Sequence, residues 1–312
     1  MHHLLILSRH ASEYHRLIDG EHPPDLEIVS TADPAHALRD GAGCDLVLGE
    51  PSLIAQVLSQ LTALRWVQAT WAGVEPLLAQ GLRRDYVLTN ARGVFGPLMS
   101  EYVFGYLLAH ERLIFSRHAS QLAGRCDRTP PGSLRGKRIG LLGVGSIGAD
   151  LAHTAQCFHM RVHGYTRATE ACPDVDTWFH GDDLEAFARG LDYLVCVLPH
   201  TPATRGLVGE RLLRALPQHA VFVNPGRGQV VDEDALADAL QAGRLAGAVL
   251  DVFHEEPLPP YSVFWRLPNV LITGHTAALS FPEEIAPVFV DNYRRLLAGE
   301  PLKHQVDFER GY

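Results

Sequence analysis

The sequence predicts an α/β protein of two doubly wound units, and three observations carry that prediction. Short apolar runs alternate with helix-period segments through the first ninety residues, the pattern of a parallel sheet with helices on both faces. A second alternating series begins at Ile139 and reaches Thr273, long enough for a complete second sheet. Within it, an apolar run from Ile139 leads into Gly143-Val144-Gly145-Ser146-Ile147-Gly148, then a helix-period segment, then another apolar run ending at Tyr165. This reads as strand, glycine turn, helix, strand.

In the first series Leu4–Leu7, Glu27–Ser30, Asp45–Leu48, Arg65–Ala69 and Tyr86–Thr89 read as strands, with helices over Pro34–Arg39, Ser52–Gln60 and Val74–Ala79. A long helix is predicted from Pro97 to Ser116, since proline suits a first helical turn. Arg125 to Gly136, rich in Arg, Pro and Gly, reads as a loop. Strands follow at 139–143, 161–165, 192–198, 220–224, 247–252 and 270–273, with helices between most of them, notably Asp182–Ala188 and Asp232–Ala242. Six strands in this order predict a full dinucleotide fold. The amphipathic segment Glu283–Leu297, stopped by Gly299, predicts a last helix that returns to the first unit. The expectation is therefore two Rossmann-like domains. A smaller, flavodoxin-like substrate domain spans 1–97 and 280–312 and is completed by the C-terminal helix; a dinucleotide-binding domain spans 98–279. An active site is expected in the cleft between them.

Composition narrows the function classes. A chain of 312 residues, 46% hydrophobic, suits two domains that each bury a core. The formal net charge of −9, without a basic run, argues against nucleic acid or an anionic membrane as partner. The apolar run in MHHLLILS is too short for a signal peptide or a span, so a cytoplasmic protein is expected. Five cysteines without CxxC spacing, and 17 histidines without HExxH spacing, give no reason to expect a disulfide framework or a metal site. Cys196, in an apolar strand, reads as a small hydrophobe. Lys137 and Lys303 are the only lysines, and neither position suits a buried Schiff base.

The glycine turn has a physical logic. Gly143 permits the tight turn, Gly145 lets backbone approach a pyrophosphate, and Gly148 lets the helix pack on the strand; the helix start then offers N–H groups to phosphate. An acidic residue about 20 positions on would bind the ribose 2′-OH of NAD. Here Thr166 and Arg167 stand in that place, and a hydroxyl beside a guanidinium suits a 2′-phosphate. NADPH is therefore the expected cofactor, with NADH possible. Glu170 is a nearby charge that opposes this reading, and a solvated Arg167 is the bland alternative.

Three segments beyond the later strands carry candidate chemistry: Asn224-Pro225-Gly226-Arg227-Gly228, Asp251-Val252-Phe253-His254-Glu255-Glu256-Pro257 and Thr273-Gly274-His275-Thr276-Ala277-Ala278. Together with Leu198-Pro199-His200-Thr201-Pro202, Phe264-Trp265, Leu267-Pro268-Asn269-Val270 and the closing Gly311-Tyr312, they resemble the D-isomer-specific 2-hydroxyacid dehydrogenase family over nearly the whole chain. Gly274 departs from the proline common before the histidine, which loosens the expected turn, and Pro225 is a mild variant. The resemblance implies a catalytic trio of Arg227, Glu256 and His275. Reducing a 2-keto acid needs an anion clamp and a proton donor, and His is the side chain best poised to give a proton near neutral pH. Singly, each of the three also reads as an ordinary surface or loop residue. His254 and Glu255 are the neighbours off the pattern.

The resemblance further implies cofactor contacts from Gly143, Gly145, Ser146, Ile147, Gly148, Thr166, Arg167, Leu198, Pro199, His200, Thr204, Asn224, Pro225, Gly226, Asp251 and His275. Asp251 would approach the nicotinamide carboxamide. Substrate contacts would come from Trp71, Ala72 and Gly73, with Arg227 and His275; N–H groups of the Thr70–Val74 turn, which opens a helix, would hold the substrate carboxylate. Phe95 and Met99 either face the substrate or pack in the core. A homodimer through the cofactor domain and the helix from Pro97 is expected by resemblance, and the apolar residues of that helix are equally consistent with internal packing. The expected activity is reduction of 2-keto acids to (R)-2-hydroxy acids, glyoxylate and hydroxypyruvate among them. The alternative from another class is a dinucleotide-sensing, corepressor-like protein without turnover.

Overall fold

A computed structural model of the chain describes residues 1–167 and 170–311; Tyr312, half of the closing Gly311-Tyr312 pair, lies outside them. The chain divides into two compact units, Met1–Val94 with Ser280–Tyr312, and Phe95–Leu279. Each is built on a parallel sheet, as expected of an α/β protein. No helix among the described residues is long and apolar enough to cross a membrane.

The first unit contains β1 (His2–Leu7), α1 (Ala11–Gly20), β2 (Leu26–Thr31), α2 (Pro34–Asp40), β3 (Leu46–Gly49), α3 (Pro51–Val57), β4 (Trp66–Ala69) and β5 (Val87–Thr89). The strands pair in the order β2-β1-β3-β4-β5. Every residue of β3 and β4 is buried, so neither strand alternates apolar with solvent-facing residues; Gln68 in β4 is polar but buried. Two expected helices are shorter than predicted. The segment from Ser52 is α-helical only to Val57 and tightens to a 3₁₀ turn over Leu58–Gln60. Val74–Ala79 is a single 3₁₀ turn, Glu75–Leu78, because the backbone has already left the helical region at Ala79 (ψ 146°).

The C-terminal helix, Pro282–Ala298, belongs to this unit. Phe289 stacks on Trp66 with ring centroids 5.0 Å apart, Tyr293 donates its O–H to Pro24 O at 2.7 Å, and Asn292 Nδ2 donates to Gln68 Oε1 at 3.2 Å. Gly299, at φ +68°, ends the helix in the left-handed conformation that glycine adopts without strain.

The second unit contains α4 (Gly96–Glu111), α5 (Ile114–Leu122), β6 (Arg138–Leu142), α6 (Ser146–Cys157), β7 (Arg161–Tyr165), β8 (Thr177–Phe179), α7 (Leu184–Ala188), β9 (Tyr193–Cys196), α8 (Glu210–Ala215), β10 (Val221–Asn224), α9 (Glu233–Gln241), β11 (Gly247–Leu250) and β12 (Val270–Ile272). Its sheet has seven strands, in the order β12-β11-β10-β9-β6-β7-β8, against the six expected. The extra one, β8, is a three-residue edge strand without a fully buried position, too short to stand out as a run. The predicted long helix is two. Leu113 adopts φ +56° and ends the run, and Glu111 anchors the end of α4 by accepting from Tyr193 O–H at 2.5 Å and Lys137 Nζ at 2.9 Å. The strand order reverses between β6 and β9, the switch point beyond which ligands bind in open α/β sheets.

Replacing Phe289 with alanine removes the ring stacked on buried Trp66. The expected loss is about 3–5 kcal/mol from the unfolding of the first unit, read by urea denaturation followed through tryptophan fluorescence; a loss below about 1 kcal/mol contradicts this anchoring role.

Candidate active site

The glycine turn is built as its sequence implies. Gly143 sits at φ +98°, and its N–H donates to Tyr165 O at 3.1 Å. A Cβ on Gly148 would lie 2.3 Å from Gly143 O, so α6 rests directly on the turn. A Cβ on Gly145 would meet nothing within 4 Å, so that backbone stands open. No side chain caps the start of α6, which leaves first-turn N–H groups to an anion. Ser146 is exposed and Ile147 half-buried at this end. From the end of β9, Leu198 reaches within 3.1 Å of where a Gly143 Cβ would stand. The following Pro199-His200 stretch is pinned by Thr204, whose hydroxyl donates to Pro199 O at 2.6 Å and accepts the Thr201 N–H at 2.9 Å. These residues fit a dinucleotide: an uncapped helix start beside an open glycine, with an apolar side chain along the turn.

At the end of β7, Thr166 is fixed by its N–H donating to Phe179 O at 3.2 Å. Its carbonyl oxygen accepts from His180 Nδ1 at 2.8 Å, and His180 Nε2 meets Glu170 Oε1 at 2.5 Å. Glu170, the charge that opposes a phosphate here, is thus partnered by an imidazole. Its hydrogen bond, with that to Thr166, raises the His180 pKa. Arg167 is exposed beside it.

The trio comes from the loops beyond three adjacent strands, β10, β11 and β12. Arg227 follows β10, where Asn224 shapes the turn: its Oδ1 accepts the Gly226 N–H and its Nδ2 donates to Arg227 O, both at 3.2 Å. Pro225 and Gly226 are buried in that turn. Gly228 is required by a close approach, since a Cβ there would lie 2.0 Å from the Phe253 backbone carbon. That contact seats the Arg227 loop on the loop that carries Glu256. Glu256 Oε1 accepts the Phe253 N–H at 3.0 Å, and Oε2 meets His275 Nδ1 at 2.7 Å. His275 adopts φ +57°, a backbone region that non-glycine residues rarely occupy. Despite Gly274 the turn is held: the His275 N–H donates to Asp251 O at 2.7 Å.

The electrostatics follow from this geometry. The hydrogen bond to Glu256 raises the His275 pKa above its ordinary value; burial and Arg227 oppose, while the charges of Glu256 and Asp251 add. Burial alone would raise the Glu256 carboxyl, but the bonds from His275 and the Phe253 N–H outweigh it and hold Glu256 below the usual carboxylate range. With Nδ1 on Glu256, the ring's other nitrogen is the one that can serve a reacting oxygen. His254 is turned away, with Nε2 on Val231 O at 2.8 Å.

In the first unit, Thr70 follows β4, and Trp71, Ala72 and Gly73 continue the bend. The helix expected after it is only the four-residue 3₁₀ turn, too short for a helix dipole, so any anion would rely on local N–H groups. Asn90, which carries no sequence signal, fixes this turn by donating Nδ2 to Ala72 O at 2.8 Å. Phe95 is buried and packs at the start of α4, and Met99 is half-buried. Among the described residues no cluster of His, Cys, Asp or Glu could hold a metal ion.

A reduction that takes its proton from His275 should slow as pH rises through the His275 pKa, and that limb should lie above the ordinary imidazole value of 6.5. Glu256→Gln removes the raising charge and should move the limb of kcat/KM to lower pH, with a loss in rate of about tenfold or more. A limb that stays in place on this substitution argues against the pair.

Residues 104–277 match a family model described as D-isomer specific 2-hydroxyacid dehydrogenase, NAD binding domain. The chain is 34% identical over 258 residues to glyoxylate/hydroxypyruvate reductase A of Klebsiella pneumoniae, covering 80% of this chain and 82% of that protein. Among solved structures, it is similar to a D-isomer specific 2-hydroxyacid dehydrogenase family protein of Aeromonas salmonicida, with a TM-score of 0.94, 39% identity, and 98% and 99% of the two chains covered. It is also similar to an NADPH-dependent glyoxylate/hydroxypyruvate reductase of Sinorhizobium meliloti in complex with NADP and sulfate, with a TM-score of 0.88, 30% identity and 100% of both chains covered. These relatives do not favour a sensing protein without turnover. The chain belongs to the D-isomer-specific 2-hydroxyacid dehydrogenase family and is an oxidoreductase that couples a nicotinamide dinucleotide to reduction of 2-keto acids.

Proposed function

We propose that the protein reduces small 2-keto acids, glyoxylate and hydroxypyruvate among them, with NADPH in preference to NADH, and that chiral products have the (R) configuration. The observation that carries this reading is the His275–Glu256 pair at 2.7 Å, electrostatically coupled to Arg227, beyond the strand ends of the dinucleotide sheet. Bound nicotinamide supplies hydride to the carbonyl carbon. Arg227 binds the substrate carboxylate and polarises the keto oxygen. His275 gives its proton to that oxygen, and Glu256 orients the ring and stabilises the imidazolium. Backbone N–H groups of Trp71, Ala72 and Gly73, in a substrate domain of 1–97 and 280–312, add donors for the carboxylate.

Cofactor contacts follow the same logic. Gly143, Gly145, Ser146, Ile147 and Gly148 would hold the phosphates, Thr166 and Arg167 the adenosine 2′-phosphate, and Leu198, Pro199, His200, Thr204, Asn224, Pro225, Gly226 and Asp251 the remainder. NADPH preference is supported by the absence of an acid at the Thr166-Arg167 corner and by the engagement of Glu170 with His180. Two relatives support it too: the Sinorhizobium meliloti reductase and a Xanthobacter autotrophicus dehydrogenase in complex with NADPH and MES. We further propose a homodimer that covers α5, a helix with no buried residue that exposes Ile114, Phe115 and Leu122.

The test is nucleotide oxidation with a panel of 2-keto acids, beside nucleotide binding and light scattering on the same sample. Arg167→Ala should weaken NADP binding by about tenfold or more and leave NAD binding within about twofold; Thr166→Asp should move preference towards NADH. Equal loss of both nucleotides on Arg167→Ala, turnover with NADH alone, or a monomer by light scattering would each sink the corresponding part.

A further inference from the structure

Tyr102, on α4, has its hydroxyl 2.7 Å from Thr273 Oγ1, which follows β12. Thr273 Oγ1 in turn lies 2.5 Å from Asp251 Oδ1, just beyond β11. A carboxylate only accepts, so Thr273 donates to Asp251, and Tyr102 is then the donor to Thr273. Asp251 is 1% exposed. Its Oδ1 also accepts the Thr276 N–H at 2.8 Å, its Oδ2 the Ala277 N–H at 2.9 Å, and its backbone oxygen the His275 N–H at 2.7 Å. The left-handed turn at His275 is therefore bonded, before, at and after the ring-bearing residue, to this one aspartate. Neither the spacing nor the apolar character of α4 marks Tyr102 for a role.

We propose that Tyr102 is a positioning residue of the reaction: through Thr273 and Asp251 it holds the His275 turn where the ring meets Glu256. The inference rests on His275 being the proton donor. Three elements meet in this chain of bonds, and the carboxylate at its end accepts from Thr273 and from the backbone of the proton donor's turn. A plain staple between helix and sheet would have no need of a directed run of donors ending on the aspartate that frames His275. The charged groups that face His275 are Glu256, Arg227 and Asp251. Tyr102 faces Asp251 and the ring of Tyr106, 4.9 Å away. Burial pushes the Tyr102 hydroxyl far above its ordinary range, and the Thr273 bond offsets this only in part, so it remains a donor.

The experiment uses the full chain with NADPH and a 2-keto acid, and compares Tyr102→Phe, Thr273→Val, Thr273→Ser and His275→Asn with the parent over a range of pH. Tyr102→Phe and Thr273→Val should each lower kcat about tenfold, with both KM values within about twofold, because a misplaced donor costs the chemical step rather than binding. In both, the alkaline limb should move to lower pH as the ring loses part of its contact with Glu256. Thr273→Ser keeps the hydroxyl and should restore rate and limb. An unmoved limb in either variant overturns the proposal whatever the rate, since a general folding defect lowers activity without altering the titration. So does loss in one variant only, or failure of serine to restore. His275→Asn separates this inference from the one it rests on. If that variant turns over normally, the reading of the site fails. If it is inactive but still binds nucleotide, while Tyr102→Phe and Thr273→Val behave as the parent, the relay alone fails.

Discussion

The buried carboxylate of Asp251 is the constraint on which the rest of the site depends. An ionised side chain in an apolar interior is costly unless its lone pairs are satisfied, and an unpaired one costs several kcal/mol. Here two backbone N–H groups and the Thr273 hydroxyl satisfy it. Those donors all come from the segment that carries His275. Satisfying the charge and shaping the turn are therefore one event, and it allows a histidine at φ +57° without the proline that the family commonly places before it. The same arrangement explains why a glycine at 274 does not free the turn.

Glu256 and Arg227 complete the site by a second constraint, steric rather than electrostatic. Gly228 lies so close to the Phe253 backbone that any side chain would separate the two loops. Phe253 then gives its N–H to one oxygen of Glu256 and leaves the other for His275. His275, Glu256 and Arg227 thus come from the loops beyond three neighbouring strands, on the side of the sheet where the reversal of strand order opens a crevice. The glycine turn and its uncapped helix stand beyond β6 of the same sheet, so they share one scaffold with these three residues. Rigid strands beneath short loops give the precision that proton transfer requires.

Much of this was legible in the sequence because its causes are local. Strands buried on both faces appear as unbroken apolar runs, glycines mark tight turns and close approaches, and the C-terminal helix announces itself by its periodicity and by Gly299. The trio was legible through motifs rather than through patterning. What escaped has non-local causes. The strand Thr177–Phe179 has strand-favouring residues, but three positions at a sheet edge are too few to make a pattern. The break at Leu113 reflects the anchoring of Glu111 by Tyr193 and Lys137, residues distant in sequence. The helix expected at Val74 fails because its four residues run into extended backbone. Tyr102 reads as one more aromatic in an apolar helix, and its partner is 171 positions away. The pairing of Glu170 with His180 is likewise invisible to a reading that takes each charge alone.

The most direct test of the central claim, that Glu256 holds the His275 ring as a protonated donor, is an NMR titration of the histidine ring nitrogens in the nucleotide-bound protein, with His275→Asn used to assign the signal. The account predicts that His275 titrates above the ordinary imidazole value of 6.5 and that Glu256→Gln brings it down. A His275 pKa at or below the ordinary value, unchanged by Glu256→Gln, would contradict it.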